Sequence, residues 1–400
     1  MYLNTHTYYS LRYGTISPVE LLALAKENGL SKFAITDINN TSACLEILRE
    51  APRFGMEPVF GIDFRKGIDQ KFIAIAKNNE GFQEINEFLT SILHQEISTG
   101  LDCEALPDKA PVFQNAFVIY PFKRGISYQL SSNEFIGIAP TDLDYIRLKK
   151  IDTSSCVILQ PATFRNKKDF NAHRLLRAID ENTLLSKLPE SEQADPCHKM
   201  ISVEELKNLY EEFPEVIRNT EKILDESHIY FDFSEEAEPQ NQKYFTGSEK
   251  EDLALLEELC QEGLEYRYPQ PSEEILRRVK KEIETIKEMK FVSYFLMNWD
   301  IVREARERGF FYVGRGSGAN SIISYLLRIT DVDPVELDLY FERFINLYRK
   351  NPPDFDIDFS WRDRDEMTEY IFQKFDHVAL VATYNTFKVR SVRRELGKVF

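Results

Sequence analysis

Leu21, Leu22, Leu24 and Ala25 recur at helical spacing directly behind Ser17-Pro18-Val19-Glu20. A serine cap, a proline at the first helical position and a glutamate three residues after the cap together predict a helix start. A strand over 32–36 follows and a second over 56–64 comes after another helix, so the opening of the chain reads as βαβ units. Further on, Ile275, Val279, Ile283 and Ile286 form one helical stripe with Glu273 and Glu274 in its first turn, which predicts core packing beneath a sheet. A short helix is expected over 250–266, a solvated loop over 234–242 and another loop over 98–111. The period then switches to two in Pro353-Asp354-Phe355-Asp356-Ile357-Asp358-Phe359. In an extended strand Asp354, Asp356 and Asp358 share one face, and Phe355, Ile357 and Phe359 anchor the other.

That alternation carries the sharpest chemistry in the chain. Carboxylates two residues apart on a strand lie about 6.5 to 7 Å apart, within reach of hard divalent cations such as Mg²⁺, which takes a few carboxylates plus substrate phosphates. Taken alone, an acidic edge strand that guards against aggregation accounts for the same pattern. Upstream, Tyr312-Val313-Gly314-Arg315-Gly316-Ser317-Gly318-Ala319-Asn320-Ser321 precedes the apolar run Ile322, Ile323, Tyr325, Leu326, Leu327. Three glycines let the backbone turn tightly and approach a ligand. A helix opening behind them is expected to aim free N–H groups and its positive dipole end at an anion, with Arg315 adding charge. Plain turn chemistry remains the alternative, because no Gly-Lys-Ser/Thr follows. A phosphate cradle beside a metal-binding carboxylate pair describes nucleotidyl transfer.

Four segments in order, Gly314-Arg315-Gly316-Ser317, Ile329-Thr330-Asp331-Val332-Asp333-Pro334, Phe341-Glu342-Arg343-Phe344-Ile345-Asn346 and Pro353 to Phe359, resemble the palm of C-family bacterial replicative polymerases, the DNA polymerase III alpha subunits. The resemblance implies that Asp354 and Asp356 bind two catalytic Mg²⁺ ions with Asp358 in support. It further implies that Arg315, Gly316, Ser317 and Arg343 meet the triphosphate of a dNTP. It runs on through Thr383-Tyr384-Asn385-Thr386-Phe387 to Arg394-Glu395-Leu396-Gly397-Lys398-Val399, where Arg390 and Arg394 are expected near nucleotide or template phosphates. A solvated basic helix face is the plainer reading of those residues. Members of this family are longer, so a third palm aspartate, thumb and fingers are expected beyond Phe400, and the piece in hand is expected not to polymerise alone.

The first residues, Met1-Tyr2-Leu3-Asn4-Thr5-His6-Thr7-Tyr8-Tyr9-Ser10, with Ala34-Ile35-Thr36-Asp37-Ile38-Asn39-Asn40, resemble the opening of the polymerase and histidinol phosphatase (PHP) domain, a metal-dependent phosphoesterase barrel. Against that pattern the ligands are depleted. Asn4 stands for the first histidine, Tyr13 for an aspartate, Ile38 for a histidine, Asp63 for a glutamate, and Pro161 and Thr163 for a late Asp-x-His pair. Only His6, Asp37 and Asp63 could still coordinate, so no PHP metal is expected and the domain is expected to be a scaffold without proofreading nuclease activity. The fold class implied is α/β plus α+β: a PHP-like distorted (β/α)7 barrel over 1–230, a connector over 231–270, and a partial nucleotidyltransferase-like (polymerase beta-like) palm over 271–400.

Composition adjusts this picture in three ways. At 400 residues with 43% hydrophobic content, two domains with full cores are the natural division. Five cysteines without metal-type spacing suggest reduced, buried thiols in a cytoplasmic protein. A net charge of −16 argues against a nucleic-acid partner until its distribution is read. Residues 301–400 hold 16 basic and 16 acidic side chains, so the excess acid lies entirely in the first 300. That removes the objection, and the resemblance implies primer-template DNA and dNTPs as partners of the palm. A sliding clamp and other replisome subunits would bind outside this piece, and a proofreading exonuclease subunit would dock on the PHP-like barrel. No apolar run is long enough for a membrane span. Two other functions stay open: a PHP-type metal-dependent 3′–5′ exonuclease or phosphoesterase, and a non-catalytic docking scaffold.

Overall fold

Ser17 caps the first helix as its sequence predicts: its hydroxyl accepts from the Glu20 N–H and the Glu20 carboxylate accepts from the Ser17 N–H, with Pro18 opening the helix. The computed structural model describes residues 1–99, 106–126, 129–234, 237, 242–345, 353–376, 378–381 and 383–400. Parts of the two expected loops, 100–105 and 235–236 with 238–241, lie outside the described residues, as do Cys103 and Asn346. Two units are present, Met1–Ala237 with Asn385–Phe400, and Glu238–Tyr384.

In the first unit the order is β1 (Asn4–Thr5), α1 (Pro18–Glu27), β2 (Lys32–Ile35), α2 (Cys44–Phe54), β3 (Glu57–Lys66), β4 (Asp69–Ala76), α3 (Asn79–Thr99), β5 (Ala116–Pro121), β6 (Glu134–Ile138), α4 (Leu143–Lys149), β7 (Cys156–Ile158), β8 (Pro161–Ala162), α5 (Lys167–Asp180), α6 (Val203–Leu209) and α7 (Pro214–Asp225). Strands β2 to β7 form one six-stranded sheet in sequence order, and β1 pairs in parallel with β8. Backbone bonds from Ala34 N–H to Tyr2 C=O (2.9 Å) and from Thr36 N–H to Thr5 C=O (3.0 Å) tie β1 to β2. The parallel pair β2/β3, joined through α2, matches the βαβ reading; β5/β6 and β6/β7 are also parallel, but β3/β4 and β4/β5 are antiparallel. For β3/β4 the physical reason is the short link at Gly67, whose φ of +59° permits a tight reversal that leaves no room for a crossover helix. Apolar side chains fill both sides of the sheet, with Phe33, Phe60, Ile35 and Ile158 toward α1 and α2, and Phe64, Phe72 and Val118 toward α3.

The second unit contains α8 (Glu249–Arg267), α9 (Glu273–Glu288), α10 (Val292–Glu307), β9 (Tyr312–Arg315), α11 (Ile322–Leu326), β10 (Asp356–Phe359) and α12 (Arg364–Lys374). The connector expected over 231–270 is half structural, because α8 buries Leu256, Cys260 and Leu264 in the core shared by α9, α10 and α11. On α9 the buried stripe is Ile275, Val279, Glu282 and Ile286, with Ile283 only partly covered. An acid thus sits where the apolar pattern alone places an isoleucine. A last helix, α13 (Val389–Val399), belongs to the first unit, where Leu396 and Val399 pack with Ala178 and Leu188. The span 271–400 is therefore not one body. The reason is local: Leu396 and Val399 of α13 pack with Leu175, Ala178 and Ile179 in the C-terminal half of α5 and with Leu185 and Leu188 behind it. Among the described cysteines Cys44, Cys156 and Cys260 are buried thiols, whereas Cys197 is exposed.

Candidate active site

Strand β10 pairs antiparallel with β9 so that Asp356 faces Arg315, Ile357 faces Gly314 and Asp358 faces Val313. The strand is shorter than the alternation suggests, since it begins at Asp356 and leaves the exposed Asp354 just ahead of it. The aromatic anchor is firm. The Phe355 ring lies 5.4, 5.2 and 5.0 Å from the rings of Tyr294, Phe295 and Phe344, which fixes the main chain that carries Asp354 and Asp356.

The glycine-rich turn folds against this strand. Gly316 has a φ of +74°, and a Cβ there would sit 2.4 Å from Asp356 Oδ2, so only glycine leaves the space beside that carboxylate open. Gly314 passes so close to the Ile329 carbonyl that a Cβ would lie 1.9 Å from it, and Thr330 donates from its hydroxyl to the Gly314 carbonyl at 3.0 Å. The 314–318 and 329–330 segments are thereby locked together. Arg315 is paired with the acidic strand: its Nε donates to Asp358 Oδ2 at 2.6 Å and its Nη1 donates to Asp356 Oδ2 at 3.4 Å. The guanidinium thus neutralises charge on the carboxylate face itself. Asp356 and Asp358 remain 45% and 56% exposed, so their oxygens stay reachable by an incoming group. Hard oxygens on an open rim, with glycine-made space beside Asp356, suit a Mg²⁺ ion that also carries substrate phosphates.

The expected N–H groups at the start of α11 are not free. Buried Glu282 accepts from the Ser321 hydroxyl (2.8 Å) and from the Ile322 N–H (2.9 Å), and Ser321 caps the Ser324 N–H at 3.2 Å. Because the helix end is buried, its donors are satisfied from within, and an anion is left with the loop ahead of it. Arg278 completes the brace. It donates to Glu282 (3.0 Å), Asn320 C=O (2.9 Å), Pro334 C=O (3.3 Å) and Leu339 C=O (2.7 Å), joining the end of the glycine-rich loop, the 329–334 segment and the chain just ahead of Phe341. Burial pushes the Glu282 carboxyl up to about 7, against the lowering pull of Ser321 and Arg278. Neither residue stood out in the sequence, although an Arg/Glu pair at i, i+4 with its acid on a buried stripe is the available signal.

Ser317 is half-buried and its carbonyl accepts from the Asn320 side chain at 2.8 Å. Arg343 is exposed on a single 3₁₀ turn, Phe341–Arg343. Arg390 and Arg394 are exposed on α13, in the other unit, and Arg394 donates to the neighbouring Glu395 at 2.8 Å.

In the first unit the three residual PHP positions converge, and except for Asp63 Oδ1 their side-chain donor atoms are engaged by protein groups. Asp37 accepts from the Thr7 N–H (2.7 Å), the Thr7 hydroxyl (2.7 Å) and the Ser10 hydroxyl (2.6 Å). His6 binds the Thr163 hydroxyl through Nδ1 (2.9 Å) and Asp63 Oδ2 through Nε2 (3.1 Å). The same Asp63 oxygen accepts from Asn4 (3.2 Å), Gln70 (2.8 Å) and twice from Arg65, at 2.9 and 2.7 Å. Burial opposes ionisation of Asp63, but the Arg65 charge and the His6 hydrogen bond outweigh it and hold the carboxyl below its usual range. Burial likewise drives His6 toward its neutral form. These residues do not fit a two- or three-metal PHP centre. Among the described residues no group of three or more His, Cys, Asp or Glu is arranged to hold a metal ion. Sequence reading missed Arg65, although its place two residues after Asp63 on one strand face was legible.

Comparison with known proteins agrees with both halves. Residues 254–400 match the bacterial DNA polymerase III alpha NTPase domain, and residues 3–113 match the PHP domain. Over its full length the chain is 29% identical to the DNA polymerase III subunit alpha of Bacillus subtilis, covering 38% of that protein. It is also 29% identical over its full length to the error-prone DNA polymerase of Symbiobacterium thermophilum, of which it covers 41%. The chain therefore spans about two fifths of the length of these relatives. An amidohydrolase from Chromobacterium violaceum aligns with 52% of the chain and 96% of its own, at 12% identity and a TM-score of only 0.23. No described helix is long and apolar enough to cross a membrane.

Proposed function

We propose that this chain, a PHP domain joined to sequence of the bacterial DNA polymerase III alpha NTPase family, supplies the nucleotide-binding face of a DNA-directed DNA polymerase that extends a primer from dNTPs. The observation that carries the reading is the cradle itself: Gly316 at positive φ opens space directly beside Asp356, on a strand whose neighbouring carboxylates face the same way. Asp354 and Asp356 would hold two Mg²⁺ ions, with Asp358 keeping Arg315 in place. When bound, such ions supply charge neutralisation for the triphosphate and activation of the primer 3′-hydroxyl. The chain's own part is to orient. Phe355 fixes the acidic strand, the Gly314–Thr330 contact fixes the turn, and the Arg278–Glu282 brace holds the turn from behind. Gly316, Ser317, Arg315 and Arg343 would receive the phosphates, and Arg390 and Arg394 template or nucleotide phosphates.

The PHP domain acts in this reading as a scaffold, offering a docking surface for a proofreading subunit rather than a nuclease centre. Support comes from the engagement of both His6 nitrogens, both Asp37 oxygens and Asp63 Oδ2 by protein groups. Sliding clamp and replisome contacts are assigned to sequence outside this chain, and a cytoplasmic location goes with the role. The test is primer extension by the full-length protein with Asp356→Asn as the comparison. Extension should fall below detection while the circular dichroism spectrum is unchanged. Retained extension would move the metal-binding role to Asp358 or elsewhere.

A further inference from the structure

The PHP pocket disagrees with its own fold family over what neutralises its buried acid. Asp63 is fully buried, and its Oδ2 gathers five contacts, two of them from the Arg65 guanidinium. Arg65 is 6% exposed. Its Nη1 donates to the Tyr13 hydroxyl at 3.0 Å, and its Cζ lies 4.9 Å from the Tyr13 ring centre. Tyr13 and Asp63 are the two positions at which the PHP resemblance calls for an aspartate and a longer glutamate. The replacements act together, since the shorter acid leaves room for a guanidinium and the phenol both stacks on it and accepts its third donor.

We propose that Arg65 is the resident cation of this pocket, a permanently charged group standing in place of the metal ions a PHP centre holds. A guanidinium stays protonated in proteins and cannot be removed by a chelator, so the polar core of this unit is metal-independent. Within the Asp63–Arg65 pair the charges cancel, and a divalent ion added beside it would bring further positive charge into a closed interior. Asp63 Oδ1 and His198 Nδ1 are buried without a partner among the described residues. These atoms are what a metal could still reach, and they lie beside the positive charge that excludes it. This inference rests on the PHP unit alone and stands or falls separately from the polymerase reading.

The test uses the whole chain. After incubation with Zn²⁺ or Mn²⁺ and gel filtration, elemental analysis should find well under one ion per molecule, and neither EDTA nor added Zn²⁺ should shift the Tm of the first unit. Arg65→Ala should lower that Tm by on the order of 10 °C, because it leaves a buried charge unpaired. Zn²⁺ should then raise the Tm of that variant, since His6 and Asp63 are released. Arg65→Lys guards against a variant that fails to fold: it keeps a positive charge, should fold with a smaller loss, and should not respond to Zn²⁺. One bound ion per wild-type chain, a Tm that falls with EDTA, or Zn²⁺ stabilising Arg65→Lys would each overturn the proposal. So would Arg65→Ala that matches wild type, or that folds and ignores Zn²⁺.

Discussion

Glu282→Gln isolates the brace behind the glycine turn and gives a pH-dependent result whose sign is fixed by the structure. The carboxyl is fully buried and its pKa is raised from 4.5 to about 7, first by burial. Between those two values the folded state binds a proton that the unfolded state releases, so stability declines as pH rises. It is fully present below 4.5 and lost through about 7. At 1.36 kcal/mol per pH unit across that window the loss comes to about 3 kcal/mol. Glutamine keeps the shape and an acceptor oxygen for Ser321 and Ile322 but does not titrate. The difference in unfolding free energy between variant and wild type should therefore move by about 3 kcal/mol in favour of glutamine from pH 4.5 to pH 8, while other titrations cancel in the comparison. The chain has two tryptophans, Trp299 and Trp361, and both lie in the second unit. Their fluorescence in urea titrations at several pH values reports that unit without interference from the barrel. Parallel stability profiles for the two proteins would refute the reasoning, and so would a difference that moves the other way.

Further outcomes follow from other parts of the molecule. Gly316→Ala places a methyl 2.4 Å from Asp356 Oδ2 in a left-handed backbone; the strain costs about 1–2 kcal/mol. Full-length enzyme with this change should remain folded but lose at least about tenfold in single-nucleotide incorporation, a rise in barrier height of about 1.4 kcal/mol. His173 is buried, with its pKa pushed down to about 4 chiefly by burial. Its contribution to stability should be present above pH 6.5 and lost as pH falls toward 4, and NMR of its imidazole should show no titration midpoint near 6.5. Arg343→Ala removes an exposed side chain, so melting should be unchanged within about 0.5 kcal/mol, while the KM for dNTP in the full-length enzyme should rise.

Local signals were legible where the physics was local. The Ser17 box, the βαβ start and the Phe355 anchor follow from capping and from side-chain period, and each is present in the structure. The reversal at Gly67 was harder, because an antiparallel turn inside a βαβ series depends on one residue's positive φ rather than on apolar spacing. Glu282 was hidden by its stripe: periodicity ranks Ile283 above an acid, and only the tertiary partners Arg278, Ser321 and Ile322 make burial of the acid tolerable. The α11 terminus shows the same limit. Its sequence promises a free anion site, and a residue some forty positions earlier occupies it. In the PHP half the absent ligands could be read position by position, but the guanidinium that answers for them could not, since Arg65 matches no motif.

Because α13 returns to cover Ala178 and Leu188, the first unit is assembled from two stretches of chain separated by the whole of the other unit. Synthesis proceeds from the first residue, so a nascent polypeptide must finish Glu238–Tyr384 before it can seal the exposed end of α5. Any expression boundary drawn near residue 237 would release a barrel with that seam open, and its solubility would then say little about the native protein.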